Sequence, residues 1–142
     1  MTKAIGTLTA ATFATLALAS CGGSGSSGPT PVQVGEQWYR ATAAGDGKTL
    51  CKLSTAERRN RFIEIASRLP GGKTGTNTCP AAVELTLKHF GGSERLSKFA
   101  HVHVRLLSKS KTTAEIEAEK AAPLKLVRSG SDWLVSGAGK AS

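Results

Sequence analysis

The side chains best suited to covalent or metal chemistry in this 142-residue chain are three cysteines and three histidines. Cys21 ends an apolar, small-residue run that begins just after Lys3, whereas Cys51 and Cys79 lie further along the chain. A cysteine thiolate can act as a nucleophile, a metal ligand or a disulfide partner. Which of these roles each cysteine takes depends on the compartment in which the chain resides.

The segment before Cys21 is typical of an export signal. Lys3 is its single charge, and the apolar run after Lys3 is shorter than the about 20 residues of a spanning helix. The stretch Leu18-Ala19-Ser20-Cys21 resembles the lipobox of bacterial lipoproteins. The resemblance implies cleavage before Cys21, a thioether from its sulfur to a diacylglycerol, and acylation of the new amino group. An ordinary signal peptide with an incidental cysteine and an uncleaved signal anchor are the alternatives.

Glycine and serine alone follow Cys21 as far as residue 28, and Pro29 and Pro31 come next. This composition predicts a flexible tether. We therefore expect a signal peptide over residues 1–20, a lipidated cysteine and tether over 21–31, and one domain over 32–142. The expected location is the outer face of the cell membrane, with a lipid anchor, in a Gram-positive-type envelope.

If Cys21 carries lipid, two cysteines remain, Cys51 and Cys79. An even remainder in an oxidising compartment favours a disulfide between them. Two free thiols are the alternative. A redox or metal-binding pair is disfavoured because the chain contains no Cys-x-x-Cys motif.

The three histidines raise the question of a zinc site. His101 and His103 share one face of a predicted strand, and His89 is the third. The same face carries Arg105 and opposes glutamates, which is typical of a solvated sheet surface. We therefore assign no metal site and no cofactor. The Gly-Gly-Lys-Thr stretch at 71–74 lacks the upstream glycine of a P-loop and follows a helix, so it predicts no phosphate site.

Charge and composition narrow the possible partners. The net charge is +9, but the basic residues are spread and are not interleaved with aromatics, so we expect no nucleic acid. Anionic lipid headgroups and cell-wall polymers are the more suitable partners for such a surface. A protein partner cannot be named from the sequence.

Apolar spacing of three to four residues predicts helices over 32–44, 48–53 and 79–90, with one short turn over 93–98. A capping box at Ser54-Thr55-Ala56-Glu57 starts a further helix, whose first turns hold Arg58, Arg59 and Arg61. Basic residues at a helix N-terminus interact unfavourably with the helix dipole. Either the helix tolerates this small loss of stability, or the arginines form a patch that binds an acidic partner. Each helix has an apolar stripe that we expect to face inward: Val34, Trp38 and Ala41; Leu50, Cys51 and Leu53; Phe62, Ile65, Ala66 and Leu69; Ala82, Val83, Leu87 and Phe90.

From Phe99 the apolar period changes to two, which predicts a hairpin. The predicted register places Arg105 opposite Glu115 and Val104 opposite Ile116, so that polar and apolar faces both match. Strands over 123–128 and 133–136 follow, and we expect the turn 129–132 to join them with Arg128 opposite Asp132. In that register, Val127 and Trp133 share a face.

Helices followed by an antiparallel meander make an α+β order. The Gly-Asp-Gly after the first helix, the two placed cysteines and the Ser-Gly-Ser-Asp-Trp-Leu-Val turn resemble small secreted actinobacterial lipoproteins. Their domain is similar to the nuclear-transport-factor-two-like cone of ketosteroid isomerases, which implies helices packed on a curved antiparallel sheet around a conical pocket. The aromatic residues that could line this pocket, or simply form the core, are Trp38, Phe62, Phe90 and Trp133.

Catalysis in the isomerase-type members requires an acidic base and a Tyr/Asp oxyanion pair inside the cone. Asp46 lies in a solvent-type turn, and Tyr39 is the single tyrosine, so we nominate no catalytic residue. The sequence thus favours a non-enzymatic, lipid-anchored binding or interaction module of the cell envelope. The alternatives are a small cone-fold enzyme of isomerase or cyclase type and a carrier of an apolar ligand.

Overall fold

Within residues 28–72 and 76–139, which the computed structural model describes, five helices precede four strands. The α+β order predicted from the sequence is therefore confirmed. The strands form one open antiparallel sheet in the order β1-β2-β3-β4. The predicted signal peptide, Cys21 and most of the predicted tether lie outside the described residues. The elements are α1 (Pro31–Ala44), α2 (Gly47–Lys52), α3 (Ala56–Ser67), α4 (Cys79–Phe90), α5 (Gly92–Ser97), β1 (Val104–Lys109), β2 (Thr113–Ala118), β3 (Leu124–Ser129) and β4 (Asp132–Ala138).

Helix α1 begins and ends at well-defined caps. Thr30 and Gln33 form a reciprocal capping box, in which the Thr30 N–H donates to Gln33 Oε1 at 2.8 Å. The helix ends at Gly45, whose φ of 67° suits glycine. One face of α1 lies directly on the sheet, because a Cβ at Gly35 would overlap the side chain of Ile116. Glycine at this position therefore sets how closely helix and sheet approach.

The cap of α3 corrects the sequence prediction by one residue. Thr55, not Ser54, is the N-cap, and its hydroxyl accepts a hydrogen bond from the Arg58 N–H at 3.3 Å. Ser54 is buried instead and donates to the Leu50 carbonyl at 2.7 Å. The segment around Ser54 also pairs with the outer edge of β4, because the Val135 N–H donates to the Leu53 carbonyl at 2.7 Å.

Cys51 and Cys79 lie at disulfide-bonding distance, with their Cα atoms 6.0 Å apart. Cys51 is in α2 and Cys79 is the first residue of α4, so the bond joins the two helices, as the cysteine pattern predicted. Pro80 occupies the first turn of α4, where no N–H is needed. Thr78 stands at the N-cap position, but its side chain makes no capping hydrogen bond.

The register of the first hairpin differs from the prediction by two residues. Arg105 pairs with Glu117, rather than with Glu115, and Val104 pairs with Ala118. An irregularity between Leu106 and Ser108 then changes the register. A shift of two keeps the side chains from Val104 to Leu106 on their expected faces, so the alternation there was correct although the partners were wrong. Beyond the irregularity, Ser108 pairs with Glu115 and Lys109 with Ala114, so the alternation changes. The strand also starts at Val104, which leaves His101 and His103 in the preceding connection.

The second hairpin is tighter than predicted. Its turn contains Gly130, with a φ of 62°, and Ser131, so that Ser129 pairs with Asp132 and Arg128 pairs with Trp133. Arg128 therefore does not lie opposite Asp132. This shift of one residue places Trp133 on the buried face, and Val127 pairs with Leu134 instead.

Apolar side chains from α1, α2, α4 and the sheet fill the core of the described residues. The largest fully buried ones are Leu50, Ile116, Leu126, Val34, Val83 and Val135. Tyr39 is also buried, with its ring centroid 5.9 Å from that of Phe99 and the two rings tilted by 30°. It donates its hydroxyl to the Ala122 carbonyl at 3.2 Å. Burial raises the pKa of Tyr39 above its ordinary value, and the Glu117 carboxylate raises it further.

Replacing Cys51 and Cys79 together by alanine is expected to lower the free energy of unfolding by about 3–4 kcal/mol, because the unfolded chain regains the entropy of a 28-residue loop. Urea denaturation followed by circular dichroism measures this loss. The control is the parent chain treated with reductant, which should lose the same amount. A loss below about 1 kcal/mol in both would contradict a stabilising bond.

The single tyrosine permits a direct pH test. Because the pKa of Tyr39 is raised in the folded state, its contribution to stability is complete below the pKa of the unfolded chain and is lost as pH rises through the folded value. We expect the phenolate absorbance to titrate at higher pH in the native chain than in urea. Equal midpoints in the two states would show that the Tyr39 hydroxyl is not buried.

Candidate functional site

The four aromatic residues predicted for a pocket lie in two different settings. Trp38 and Trp133 are 6% and 3% exposed and belong to one buried cluster, against which the half-buried Phe62 packs. Phe90 is 60% exposed at the end of α4, so its predicted inward orientation is wrong. Trp38 and Phe62 therefore meet, with ring centroids 6.4 Å apart, and Phe90 does not join them in the buried cluster.

Arg58 covers the Trp38 and Phe62 rings from the outside. Its guanidinium carbon lies 4.9 Å from the Trp38 centroid and 5.2 Å from the Phe62 centroid. Such cation–π contacts explain how an arginine in the first turn of α3 is tolerated despite the helix dipole. Its Nε atom is buried without a hydrogen-bond partner, and desolvation lowers the pKa of Arg58. Arg59 and Arg61 remain exposed on the same helix.

The two residues considered for isomerase-like chemistry, Asp46 and Tyr39, make hydrogen bonds that stabilise the fold. Asp46 is the N-cap of α2, and its carboxylate accepts hydrogen bonds from the Thr49 hydroxyl at 2.6 Å and the Thr49 N–H at 3.0 Å. The hydroxyl bond is the main reason that the pKa of Asp46 is lowered. Tyr39 binds a backbone carbonyl, as described above. In the described part of the chain, the buried polar residues are Ser54 and Thr76, and neither is an acid or a base.

A cleft of about 620 Å³ runs along β1 and β2, and its apolar lining comes from Val104, Ala118 and Ala121. His103 lines it, together with Arg105, Glu117, Glu119 and Lys120. The Arg105 Nε donates to Glu117 Oε2 at 2.8 Å, so this pair is already satisfied. His89 lies at the far end of α4, next to Phe90. Among residues 28–72 and 76–139, no three histidine, cysteine or acidic side chains are grouped as metal ligands would be.

The turn between α4 and α5 forms an apolar corner, which we call the α4–α5 corner. Gly91 brings the two helices together, because a Cβ there would lie 2.7 Å from the Leu96 side chain. Leu87 and Phe99 form its floor and pack against the main core on their inner side. The pocket has a volume of about 230 Å³ and is lined by Thr86, Leu87, Phe90, Gly91, Arg95, Leu96, Lys98 and Phe99.

This corner can make apolar and cationic contacts at once. The Lys98 Nζ lies 5.1 Å from the Phe99 centroid, and the His89 ring meets Phe90 edge-on at 4.8 Å. The sequence included Phe90 in a core stripe because helical spacing cannot tell where the neighbouring layer ends. The dipeptide Gly91-Gly92 and the basic residues after it were the available signal that Phe90 stands at an exposed helix end.

Comparisons with known proteins return no matching family model, no matching curated protein and no matching solved structure. No helix among the described residues is both long and apolar enough to cross a bilayer.

Replacing Arg58 by alanine is expected to lower the free energy of unfolding by about 1–2 kcal/mol, because the contacts with two aromatic rings and the cover of the aliphatic stem are lost. It should also increase acrylamide quenching of tryptophan fluorescence, since Trp38 becomes accessible. The matched control is Arg59→Ala on the exposed side of α3, expected within about 0.5 kcal/mol of the parent chain. Equal effects of the two substitutions would show that Arg58 is an ordinary surface residue.

Proposed function

We propose that this protein is a lipid-anchored, extracytoplasmic binding or interaction module of the cell envelope. In this proposal, residues 1–20 are removed and Cys21 carries the lipid. The chain is further proposed to belong with the small secreted actinobacterial lipoproteins whose domain is of the nuclear-transport-factor-two-like kind. The lipobox-like sequence before Cys21 and the α+β order with its antiparallel sheet support this assignment.

The observation that carries the proposal of binding rather than catalysis is the apolar interior of the described residues. Enzymes of the cone type need titratable groups in a desolvated site. Here the buried cluster consists of aliphatic and aromatic side chains with Cys51, and its titratable side chain, Tyr39, donates its hydroxyl to the Ala122 carbonyl. Asp46 caps a helix at the surface. Recognition is therefore proposed to occur on the outer surface of the domain.

The pairing of Cys51 with Cys79 supports an extracytoplasmic location. Disulfides persist in oxidising compartments and are rare where cellular reductants keep thiols reduced. The bond joins α2 to α4, so a reducing environment would loosen the helical layer. This argument is independent of the N-terminal sequence, because it rests on two residues of the folded domain.

The test of the proposed anchor is Cys21→Ser in the native host. The parent protein is expected in the membrane fraction, with a mature N-terminus whose mass includes a diacylglycerol on the Cys21 sulfur. The Cys21→Ser chain should lose this modification and leave the membrane after processing or remain unprocessed. Ser20→Ala, which keeps a small residue before the cysteine, is the matched control and should remain lipidated. A mature chain with an unmodified Cys21 would refute the anchor.

A further inference from the structure

Phe90 is an unusual surface residue, because its ring is 60% exposed at the end of a helix whose neighbouring apolar residues are partly buried. In the described residues the other large exposed hydrophobic side chain is Leu106, at 43%. An isolated exposed apolar side chain needs no explanation. Phe90, however, lines the pocket of the α4–α5 corner together with the partly exposed side chains of Leu87, Leu96 and Phe99.

Two basic side chains, Arg95 and Lys98, line this pocket, and Lys88 lies two residues before Phe90 in the sequence. Between residues 88 and 98, Lys88, Arg95 and Lys98 are exposed, and Glu94 is the one acidic residue. The ion pairs of the described residues involve Arg61, Arg68 and Arg105, so the three cations of the corner have no carboxylate partner within that part of the chain. An apolar tip with exposed cations beside it is the arrangement that anionic lipid surfaces attract.

We infer that the α4–α5 corner docks onto the surface of an anionic phospholipid bilayer, with Phe90 entering the headgroup region and Arg95, Lys98 and Lys88 contacting lipid phosphates. This inference rests on the proposed function, which places the domain beside a membrane. The described part begins at Gly28, seven residues after Cys21. Seven residues span at most about 25 Å, so the domain would always be within reach of the bilayer.

The size of the corner favours a bilayer over other occupants. Its volume of about 230 Å³ is below the about 300–1,000 Å³ of typical small-molecule sites. A stable protein partner would need about 800 Å² on this side, which a single exposed ring with a small pocket does not provide. A lipid surface requires neither an enclosed cavity nor a large complementary face. It requires an apolar tip and nearby cations, which this corner has.

The test is vesicle sedimentation with the mature chain, residues 21–142, carrying Cys21→Ser, so that no thioether can form and the apolar residues 1–20 cannot insert into the vesicles. One set of vesicles contains equal parts of phosphatidylglycerol and phosphatidylcholine, and the other contains phosphatidylcholine alone. Phe90→Ala tests the apolar tip, with Leu106→Ala as the matched control. Arg95→Gln/Lys98→Gln tests the cations. The control that removes the same charge is Lys111→Gln/Lys125→Gln, in the turn between β1 and β2 and on β3.

We expect Phe90→Ala to lower the partition coefficient on the anionic vesicles at least about fivefold. The Arg95/Lys98 variant should lower the partition coefficient about 25-fold, from roughly fivefold for each of the two charges near the surface. The control variants should change the partition coefficient less than about twofold in the same assay. This limit is roughly the variation expected from neutral surface substitutions. Circular dichroism of each variant establishes that it is folded.

Three outcomes would overturn the inference: equal loss in the test and control variants, equal partition onto anionic and neutral vesicles, or binding of a soluble fatty acid at the corner without vesicle binding. None of them depends on the anchor, because the assayed chains lack the Cys21 thiol. Conversely, an unmodified Cys21 in the native host would refute the proposed function while leaving the vesicle result unchanged. The two failures are therefore distinguishable.

Discussion

The link between Cys51 and Cys79 is the constraint on which the arrangement of the helices depends. Helix α1 lies on the sheet and is held there by buried side chains and by the close approach at Gly35. Helix α4 packs mainly on α2 and α3, so its position relative to the sheet is set through other helices. The disulfide fixes the first residue of α4 to α2, and the opposite end of α4 carries the α4–α5 corner. A covalent bond at one end of the helix thereby orients an exposed ring at the other.

The order of elements and the two faces of β2 could be predicted because they depend on local patterns. The register could not, for a physical reason that Arg105 illustrates. Glu115, Glu117 and Glu119 recur at every second position, so Arg105 finds an acidic partner in either of two registers. Alternating apolar residues on the opposite face are equally tolerant of a shift by two. The irregularity beside Leu106 and the length of the turn decide the pairing, and neither has a signature in the periodicity.

The positions of the candidate site residues could be predicted in part, and the wrong predictions share one cause. Spacing identified Trp38, Phe62 and Trp133 as apolar anchors, and all three contact the core. Phe90 has the same helical spacing but lies beyond the last packed layer, where the stripe has no neighbour to cover it. The stacking of Arg58 on Trp38 joins residues that are remote in sequence, so it is visible only once α1 and α3 are placed together. Local periodicity gives the direction of a side chain and not the extent of the layer it faces.

The pairing of the Ser54 segment with β4 has a consequence for the solution behaviour of the molecule. Open sheets expose unpaired backbone groups along both outer strands, and such strands can recruit further chains into extended assemblies. On one side, the connection between α2 and α3 already occupies the groups of Val135. On the other side of the sheet, β1 is interrupted by its bulge and carries Arg105 and Lys109. This edge therefore also lacks a regular, uncharged strand with which another chain could pair. Strand-mediated polymerisation of the folded protein is thereby disfavoured at both edges of the sheet.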